Sequence, residues 1–483
     1  MIARSTICRR WGALLSGAAC VLAYAAGFAH AQTPVRVVVS ATAPGSAIPA
    51  DFAGISMETR TLLPDRSGRD YFQRRPRALL ATFAQLGIHN LRVGGNTADN
   101  PRVPIPADSD IAHLFAFARA AHVRVIYTLR LRGDVDPRAD AVIAKYVMDH
   151  HREHVLCFEV GNEPNIYAKS YARYRELMTR FIAVITAPEV APGAQFCGPN
   201  TTPDKADWAR QFATDFAGSG RVTLITQHAY PGGNARTVVD TAAARERMLS
   251  PAWVGGYERF FQAFGPTAAA QGLPFRIEET NSFYNGGLHG ASDTHAAALW
   301  ALDYLHWWAT HGAAGVNFHT GDWVAAGDDS TRCRYALFWA TSDGYDVHPI
   351  GYAVKAFDLG SHGRVLPVQV TPAAALNLTG YAVLAADSSI YVTLINKEPG
   401  TAAGSASTAI VTLTAGHGWA RAESMALRNS SIAATSGETL GGAAIGHDGS
   451  WTGTWTRVAA PRQHELQLTL RPATAVIVHL RMR

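Results

Sequence analysis

Two segments of the chain combine glutamates with amide side chains in patterns that suit catalysis. The first is Gly161-Asn162-Glu163-Pro164-Asn165, and the second is Glu278-Glu279-Thr280-Asn281. An acid between asparagine and proline contributes little to packing, and two adjacent acids in an apolar run are costly to bury unless they are paired or used. The two segments therefore supply candidate carboxyl groups for acid–base or nucleophilic chemistry.

A pair of carboxyl groups suits the cleavage of glycosidic bonds. One carboxylic acid protonates the leaving oxygen while the other carboxylate attacks the anomeric carbon, and in the retaining mechanism the two lie about 5–5.5 Å apart. The acid needs a raised pKa, which a neighbouring negative charge and partial burial can supply. The alternative interpretation is that Glu163 and Glu279 only form ion pairs with arginines.

The segments that must position these acids alternate between short apolar runs and longer helical patterns. The apolar runs predict eight strands, Phe52–Met57, Asn90–Val93, Val123–Leu129, Val155–Val160, Phe196–Gly198, Val222–Gln227, Phe275–Glu278 and Gly315–His319. The helical patterns predict eight helices, Arg75–Gly87, Asp108–His122, Pro137–His151, Ser170–Ala187, Lys205–Gly218, Thr241–Gly272, Ser292–Gly312 and His348–Leu359. Asp108 and Ser292 stand where helix N-caps belong, and Gly87 and Gly312 where helices end.

Eight strands that alternate with eight helices imply parallel crossovers, and a closed (β/α)8 barrel, or TIM barrel, fits this α/β pattern best. An open doubly wound sheet is the alternative, but no Gly-x-Gly-x-x-Gly motif follows the first strand. Functional groups of such a barrel gather at the carboxyl ends of its strands. Glu163 follows the fourth predicted strand and Glu279 the seventh, so both belong to that end.

The pattern changes after about residue 360, where helical signals stop. Alternating strands are predicted at Val365–Thr371, Tyr381–Ala386, Ile390–Asn396, Ala409–Thr414, Glu465–Leu470 and Ala475–Leu480. These runs predict a C-terminal antiparallel β-sandwich domain. We expect a barrel at 50–360, a sandwich at 361–483, and at 32–49 an N-terminal strand (Val35–Ser40) that pairs with the sandwich.

The first 31 residues have the pattern of a secretory signal peptide, with early arginines, an apolar stretch and Ala29-His30-Ala31 before Gln32. We therefore expect a secreted or periplasmic protein without a membrane segment after cleavage. That stretch holds three arginines and no acid, so the rest of the chain is nearly neutral. Such a balance predicts no nucleic-acid partner.

Three cysteines remain beyond residue 31, at Cys157, Cys197 and Cys333. An odd number argues against a disulfide framework and leaves at most one bridge, and the sequence does not decide whether Cys157 and Cys197 form it. No spacing of histidine and cysteine suits zinc. We expect neither a metal nor a cofactor.

The acid segments resemble a known enzyme group. Asn-Glu-Pro after strand four, with a glutamate at the end of strand seven, resembles the large superfamily of retaining (β/α)8 glycosidases. The run from Arg276 to Gly287, followed by Ser292-Asp293-Thr294, resembles the nucleophile region of glycoside hydrolase family 79, which includes β-glucuronidases and heparanase. Val93-Gly94-Gly95-Asn96-Thr97 and Gln227-His228-Ala229-Tyr230 also match, and the resemblance extends from about residue 50 to the end.

The resemblance implies roles for individual residues. Glu163 corresponds to the acid/base and Glu279 to the nucleophile, whereas Glu278 lies one place too early. Because neighbouring strand residues point to opposite sides, we expect only one of these two acids to reach the sugar. The remaining positions implied to bind substrate, a β-linked glucuronic acid in a glycan or glucuronide, are Glu58, Asn96, Asn162, His228, Tyr230, Asn285, Gly286 and Tyr335.

In that family backbone N–H groups of a glycine-rich turn, with a tyrosine, hold the glucuronate carboxylate, which places Asn285, Gly286 and Tyr335 around it. Four alternatives remain open: an endo-acting, heparanase-like hydrolase with a cleft lined by basic residues; another exo-glycosidase such as an arabinofuranosidase; a non-catalytic carbohydrate-binding protein; and a simple turn at 284–287. Candidate basic residues for an endo-acting cleft are Arg130, Arg132, Arg138 and Arg236.

Overall fold

The computed structural model describes residues 32–133, 136–321, 333–399, 408–415, 419–459 and 465–482. The predicted signal peptide at 1–31 lies outside the described residues. So does most of the loop between the eighth predicted barrel strand and Tyr335.

Eight parallel strands close into a barrel. Strand β1 (Gln32–Val39) precedes it, and the barrel strands follow in chain order as β2 Ala53–Glu58, β3 Asn90–Gly94, β4 Arg124–Leu129, β5 Val155–Val160, β6 Phe196–Pro199, β7 Val222–Ala229, β8 Phe275–Thr280 and β9 Gly315–His319. Each strand pairs with the next, and β9 pairs with β2. The predicted TIM barrel is confirmed, and each of its eight strands was placed within two residues at either end.

Helices surround the barrel. They are α1 Tyr71–Arg74, α2 Pro76–Leu86, α3 Asp108–Ala121, α4 Pro137–His150, α5 Tyr171–Ile185, α6 Ala206–Phe216, α7 Thr241–Leu249, α8 Pro251–Gln262, α9 Gly265–Ala270, α10 His295–Thr310 and α11 Pro349–Gly360. The single helix predicted over 241–272 is three helices, since Ser250-Pro251 and Gly265-Pro266 interrupt it. The N-caps of α3 and α10 are Ala107 and Thr294, so the N-cap predictions were wrong by one and two residues.

Beyond the barrel, a short hairpin of β10 (Phe338–Ala340) and β11 (Tyr345–Val347) precedes two further sheets. Their strands are β12 Arg364–Leu366, β13 Val368–Pro372, β14 Leu378–Leu384, β15 Ile390–Asn396, β16 Thr408–Ala415, β17 Trp419–Arg428, β18 Thr439–Leu440, β19 Thr456–Arg457, β20 Glu465–Leu470 and β21 Thr474–Met482. One sheet has the order β13-β1-β16-β20, and the other runs β12-β14-β15-β21-β17-β18, with β19 beside β17.

The two sheets enclose a core of their own, to which β1 contributes Val35, Val37 and Val39. Strand β1 pairs antiparallel with β13 but parallel with β16, so the sandwich is not antiparallel throughout. Strand β17 was not predicted, because its face carries Arg421 and Glu423 and its alternation is weak.

Helix α10 joins the barrel to the second sheet through buried polar contacts. Asp303 accepts hydrogen bonds from Thr379, Tyr381 and Lys397 at 2.7 to 2.9 Å. At the start of the same helix His295 contacts Glu438, at 2.8 Å. These contacts tie the sandwich to one side of the barrel.

A disulfide links Cys157 on β5 to Cys197 on β6, which answers the pairing that the sequence left open. Cys333 is buried and is not part of this bridge. The bridge joins the strand that precedes Glu163 to its neighbour in the barrel.

Candidate active site

A cavity of about 1110 Å³ opens at the carboxyl ends of the barrel strands. Eight of the predicted site residues line it, namely Glu58, Asn96, Glu163, Tyr230, Glu279, Asn285, Gly286 and Tyr335. Asn162 and His228 are buried beside it and are not part of its lining. Closure of the barrel therefore brings residues from six strand ends to one cavity.

Glu279 lies among positively charged and hydrogen-bonding groups. Its two carboxylate oxygens contact Arg92 Nη1 at 2.5 Å and the Tyr230 hydroxyl at 2.8 Å. His228 and His319 each lie 3.9 Å from Oε2. Burial by itself raises the pKa of Glu279, but the three basic side chains and the tyrosine hydroxyl outweigh it and hold that pKa well below its usual range. Glu279 is thus an ionised carboxylate facing the cavity.

Glu163 occupies a sharp turn after β5. Its φ of 46° is left-handed, a conformation that costs about 1–2 kcal/mol for a residue with a side chain. Gly161 is also left-handed, and a Cβ there would lie 2.3 Å from the Tyr167 hydroxyl. Asp99 holds this turn by accepting the backbone N–H of Asn162 and the Tyr167 hydroxyl. Strain at this position is consistent with a functional constraint on the Glu163 carboxyl group.

The carboxyl groups of Glu163 and Glu279 approach opposite nitrogens of one imidazole ring. His228 Nδ1 lies 3.0 Å from Glu163 Oε1, and Nε2 lies 3.9 Å from Glu279 Oε2. Both acids also line the same cavity. The alternative that they only pair with arginines does not describe Glu163, which has no arginine partner among the described residues.

Strand β8 contains a bulge at the acid pair. His228 pairs with Glu279 while the preceding Gln227 pairs with Ile277, so Glu278 is an extra residue in the register. The Glu278 carboxylate is fully buried and lies 3.1 Å from His228 Nε2, the same nitrogen that faces Glu279. The premise of regular strand alternation was therefore wrong, because both acids face the same imidazole nitrogen. Of the two, Glu279 lines the cavity and Glu278 does not.

Arg92 on β3 connects several buried groups beneath the cavity. It donates to Glu279, to Glu159 Oε2 at 3.0 Å and to Asn162 Oδ1 at 2.9 Å. Burial alone lowers the pKa of Arg92, but the facing glutamates raise it above its usual value. Arg92 was not among the residues predicted from the sequence. A basic residue inside the apolar run Asn90–Val93 nevertheless indicates a buried charge that needs a partner.

Glu58 and His319 form another part of the cavity wall. Glu58 Oε2 accepts the Thr97 backbone N–H at 2.7 Å, and Oε1 lies 3.8 Å from His319 Nε2. Asn96 is exposed beside them. His319 ends the eighth barrel strand, so the strand-end rule that selected Glu163 could also have found it.

The glycine-rich turn contributes backbone groups to the cavity. Asn285, Gly286 and Gly287 have φ values of 67°, 83° and 85°, all left-handed. A Cβ on Gly287 would lie 2.9 Å from the Tyr335 backbone nitrogen, so the turn packs closely against the segment after β9. Successive backbone amides in such turns can form anion-binding concavities.

The basic residues proposed for an endo-acting cleft have different environments. Arg130 donates to the carbonyls of Ala98 and Val103, and Arg138 pairs with Asp136. Arg236 lines the cavity. Three basic residues that were not predicted, His289, His319 and Arg334, line it as well.

The residues that the structure describes contain no group of histidine, cysteine, aspartate and glutamate side chains arranged to hold a metal ion. In the same residues, no helix has the length and apolar character needed to cross a membrane.

No protein-family model matches the chain. A β-glucuronidase of Aspergillus niger is 29% identical over 122 residues, and the match covers 23% of this chain and only 22% of that protein. Among solved structures, the 4-O-α-L-rhamnosyl-β-D-glucuronidase of Fusarium oxysporum 12S superposes with a TM-score of 0.71 at 19% identity, covering 92% of this chain and 99% of that one.

A GH51 arabinofuranosidase of Xanthomonas axonopodis pv. citri has a TM-score of 0.67 at 15% identity, covering 93% of this chain and all of that one. At these identities the likeness establishes a shared fold. The activities in the names are those of the compared proteins.

Proposed function

We propose that the chain is a retaining glycoside hydrolase that releases terminal β-linked glucuronic acid from glycans or glucuronides. The observation that carries the proposal is the pair of carboxyl groups, Glu163 and Glu279, in one cavity with different surroundings. Glu279 is held ionised by three basic side chains, whereas Glu163 has one basic partner among the described residues, His228. This asymmetry is what a nucleophile and an acid/base require.

The reaction proceeds by double displacement. The Glu279 carboxylate attacks the anomeric carbon, the bond from that carbon to the leaving oxygen breaks, and Glu163 gives its proton to that oxygen. Glu163 then takes a proton from water, whose oxygen attacks the same carbon and releases Glu279. Asn162 lies next to Glu163 in the chain, where it would bind the 2-hydroxyl of the sugar.

The preference for glucuronate rests on the turn at 285–287 and its surroundings. Backbone amides of Asn285 and Gly286, with the Tyr335 hydroxyl, would bind the sugar carboxylate. The Arg334 guanidinium lines the same cavity and supplies a positive charge there, 3.8 Å from the buried Asp293. The partial match to a β-glucuronidase and the fold shared with a rhamnosyl-glucuronidase are consistent with this substrate.

The test compares the wild-type protein with Glu279→Gln on an aryl β-glucuronide and on a panel of neutral aryl glycosides, including an arabinofuranoside. The wild type should hydrolyse the glucuronide in preference, and the variant should lose turnover by at least about 10⁴-fold, since an amide is not a nucleophile. Near-normal activity of the variant would exclude Glu279 as nucleophile. Binding without turnover by the wild type would instead support a non-catalytic carbohydrate-binding protein.

A second cavity favours an endo-acting, heparanase-like alternative. It measures about 1390 Å³, shares Glu58 with the catalytic cavity and is also lined by Arg60, Arg74 and Arg102. A sugar chain that extends past Glu58 would find space and arginine side chains there, in a lining that also holds Asp65 and Asp110. Product analysis on a glucuronide-capped oligosaccharide and on heparan sulfate separates the two, because exo action releases monosaccharide and endo action shortens the chain.

We also propose that the protein is exported to the periplasm or the medium. The support is the signal-peptide pattern of residues 1–31, with Gln32 as the expected first residue of the mature chain.

A further inference from the structure

The proposed mechanism leaves one buried acid without a role. Glu278 is fully buried and does not line the catalytic cavity, yet its Oε1 lies 3.1 Å from His228 Nε2. On the opposite side of the same ring, Nδ1 lies 3.0 Å from Glu163 Oε1. The imidazole of His228 thus connects Glu278 with the proposed acid/base.

In the surroundings of Glu278, His228 is the group that pairs with its carboxylate. Among the described residues His228 is its one ion-pair partner within 4 Å, and neither carboxylate oxygen has a hydrogen bond of good geometry. The other charged or titratable groups that face Glu278 are Glu159 on β5, Arg92 on β3, Tyr174 on α5 and Arg276 on its own strand. Neither of the two arginines lies within 4 Å of the Glu278 carboxylate, so neither forms the close ion pair that His228 forms.

The directions of the pKa shifts agree with this geometry. Burial, with the nearby Glu159, raises the pKa of Glu278 to about 7, although His228 and Arg92 act in the opposite direction. Burial lowers the pKa of His228, but Glu279, Glu278 and Glu163 together raise it well above its ordinary value. A doubly protonated His228 can direct one N–H to Glu163 and the other to the acids on β8.

We propose that Glu278 is a positioning residue that keeps His228 doubly protonated, so that its Nδ1–H stays directed at Glu163 throughout the reaction. The proposal rests on the function proposed above. When Glu279 becomes an ester in the glycosyl–enzyme, it loses its negative charge. Of the two acids that face Nε2, Glu278 alone then retains a charge, and it does so without touching the substrate.

The kinetic test uses Glu278→Gln, because glutamine has the shape of the protonated glutamate. With a phenyl glucuronide, whose leaving group needs acid assistance, kcat/KM of the variant and the wild type should agree at pH 5. The two should diverge as pH rises through 7, by about tenfold at pH 8. With a dinitrophenyl glucuronide, which leaves without a proton, the ratio should stay near one at every pH.

Two controls make the result specific. Glu159→Gln removes an acid that raises the pKa of Glu278, so Glu278 stays ionised, and it also removes a partner of Arg92 beside the proposed nucleophile; kcat/KM should therefore fall equally for both leaving groups. Glu278→Asp keeps the charge and should restore part of the activity on the phenyl substrate above pH 7. Equal losses on both substrates in Glu278→Gln would overturn the proposal.

A measurement without turnover separates this inference from the proposed function. Ring NMR signals of His228, assigned by their absence in His228→Asn, should titrate at a lower pH in Glu278→Gln than in the wild type. An unchanged His228 pKa would overturn the proposal. If the wild type hydrolyses no glucuronide, the proposed function fails, and the NMR titration still decides whether Glu278 controls the protonation of His228.

Discussion

At the scale of single residues, hydrogen-bond partners and nearby charges give Glu163 and Glu279 different surroundings. Glu163 and Glu279 were identified from the sequence because an acid at the end of a barrel strand has few structural uses. Tyr230 was assigned to the site by resemblance, and its hydroxyl donates to Glu279 Oε1 at 2.8 Å. Arg92 and Asp99, which contact Glu279 and the Glu163 turn, act across the barrel and left only a weak signal in the sequence.

Tyr230→Phe should lower kcat/KM for an aryl glucuronide by about 10- to 100-fold, the range expected for one hydrogen bond to a charged group. The hydroxyl favours the ionised form of Glu279, so its loss raises the pKa of that carboxyl group. The acid limb of the pH–rate profile should therefore move to higher pH. A pH profile of kcat/KM measures both effects, and an unshifted acid limb would contradict the assignment.

At the scale of elements, the turn after β8 and the segment after β9 form one structural unit. Gly287 packs against the Tyr335 backbone, and the Arg334 N–H donates to the Gly286 carbonyl at 2.6 Å. The turn itself was recognisable from Asn285-Gly286-Gly287, because such residues adopt left-handed backbone angles readily. Its contact with a segment about 50 residues later in the chain depends on closure of the barrel and was inferred only through family resemblance.

Gly287→Ala should therefore disturb substrate binding as well as stability. A left-handed alanine with a Cβ 2.9 Å from the Tyr335 nitrogen costs about 1–3 kcal/mol, and the displaced turn should raise KM for the glucuronide several-fold. Gly256→Ala is the matched control, since a Cβ there meets no atom within 4 Å. Thermal unfolding and Michaelis kinetics test the pair, and equal KM values would show that the turn does not hold the substrate.

At the scale of the whole molecule, buried polar contacts attach the sandwich to the barrel. His295 at the start of α10 faces Glu438 through Nδ1, at 2.8 Å, and the Ala473 carbonyl through Nε2, at 2.9 Å. Both partners are acceptors, so the ring satisfies them only when both nitrogens carry protons. Burial lowers the pKa of His295, but Glu438 and the Ala473 carbonyl outweigh that effect and raise it.

This raised pKa makes the attachment dependent on pH. The stabilisation is complete below the ordinary histidine pKa and is lost as pH rises through the folded-state value, at about 1.4 kcal/mol per unit of pKa difference. Glu438→Gln should remove most of this dependence, whereas Glu465→Gln, at an exposed position, should keep it. Melting temperatures between pH 5.5 and 9 test the prediction, and parallel curves for wild type and Glu438→Gln would contradict it.

The sequence alone determined the order of strands and helices, the barrel and the two acids at strand ends. These features follow from local periodicity and from the geometry of parallel strands, which places every carboxyl end on one face. The tertiary structure decided which side chains meet inside that face. The contact of Glu278 with His228 needs a bulge in β8, and the contact of Arg92 with Glu279 joins residues 187 positions apart. Such contacts depend on strand register and barrel closure, which no local pattern encodes.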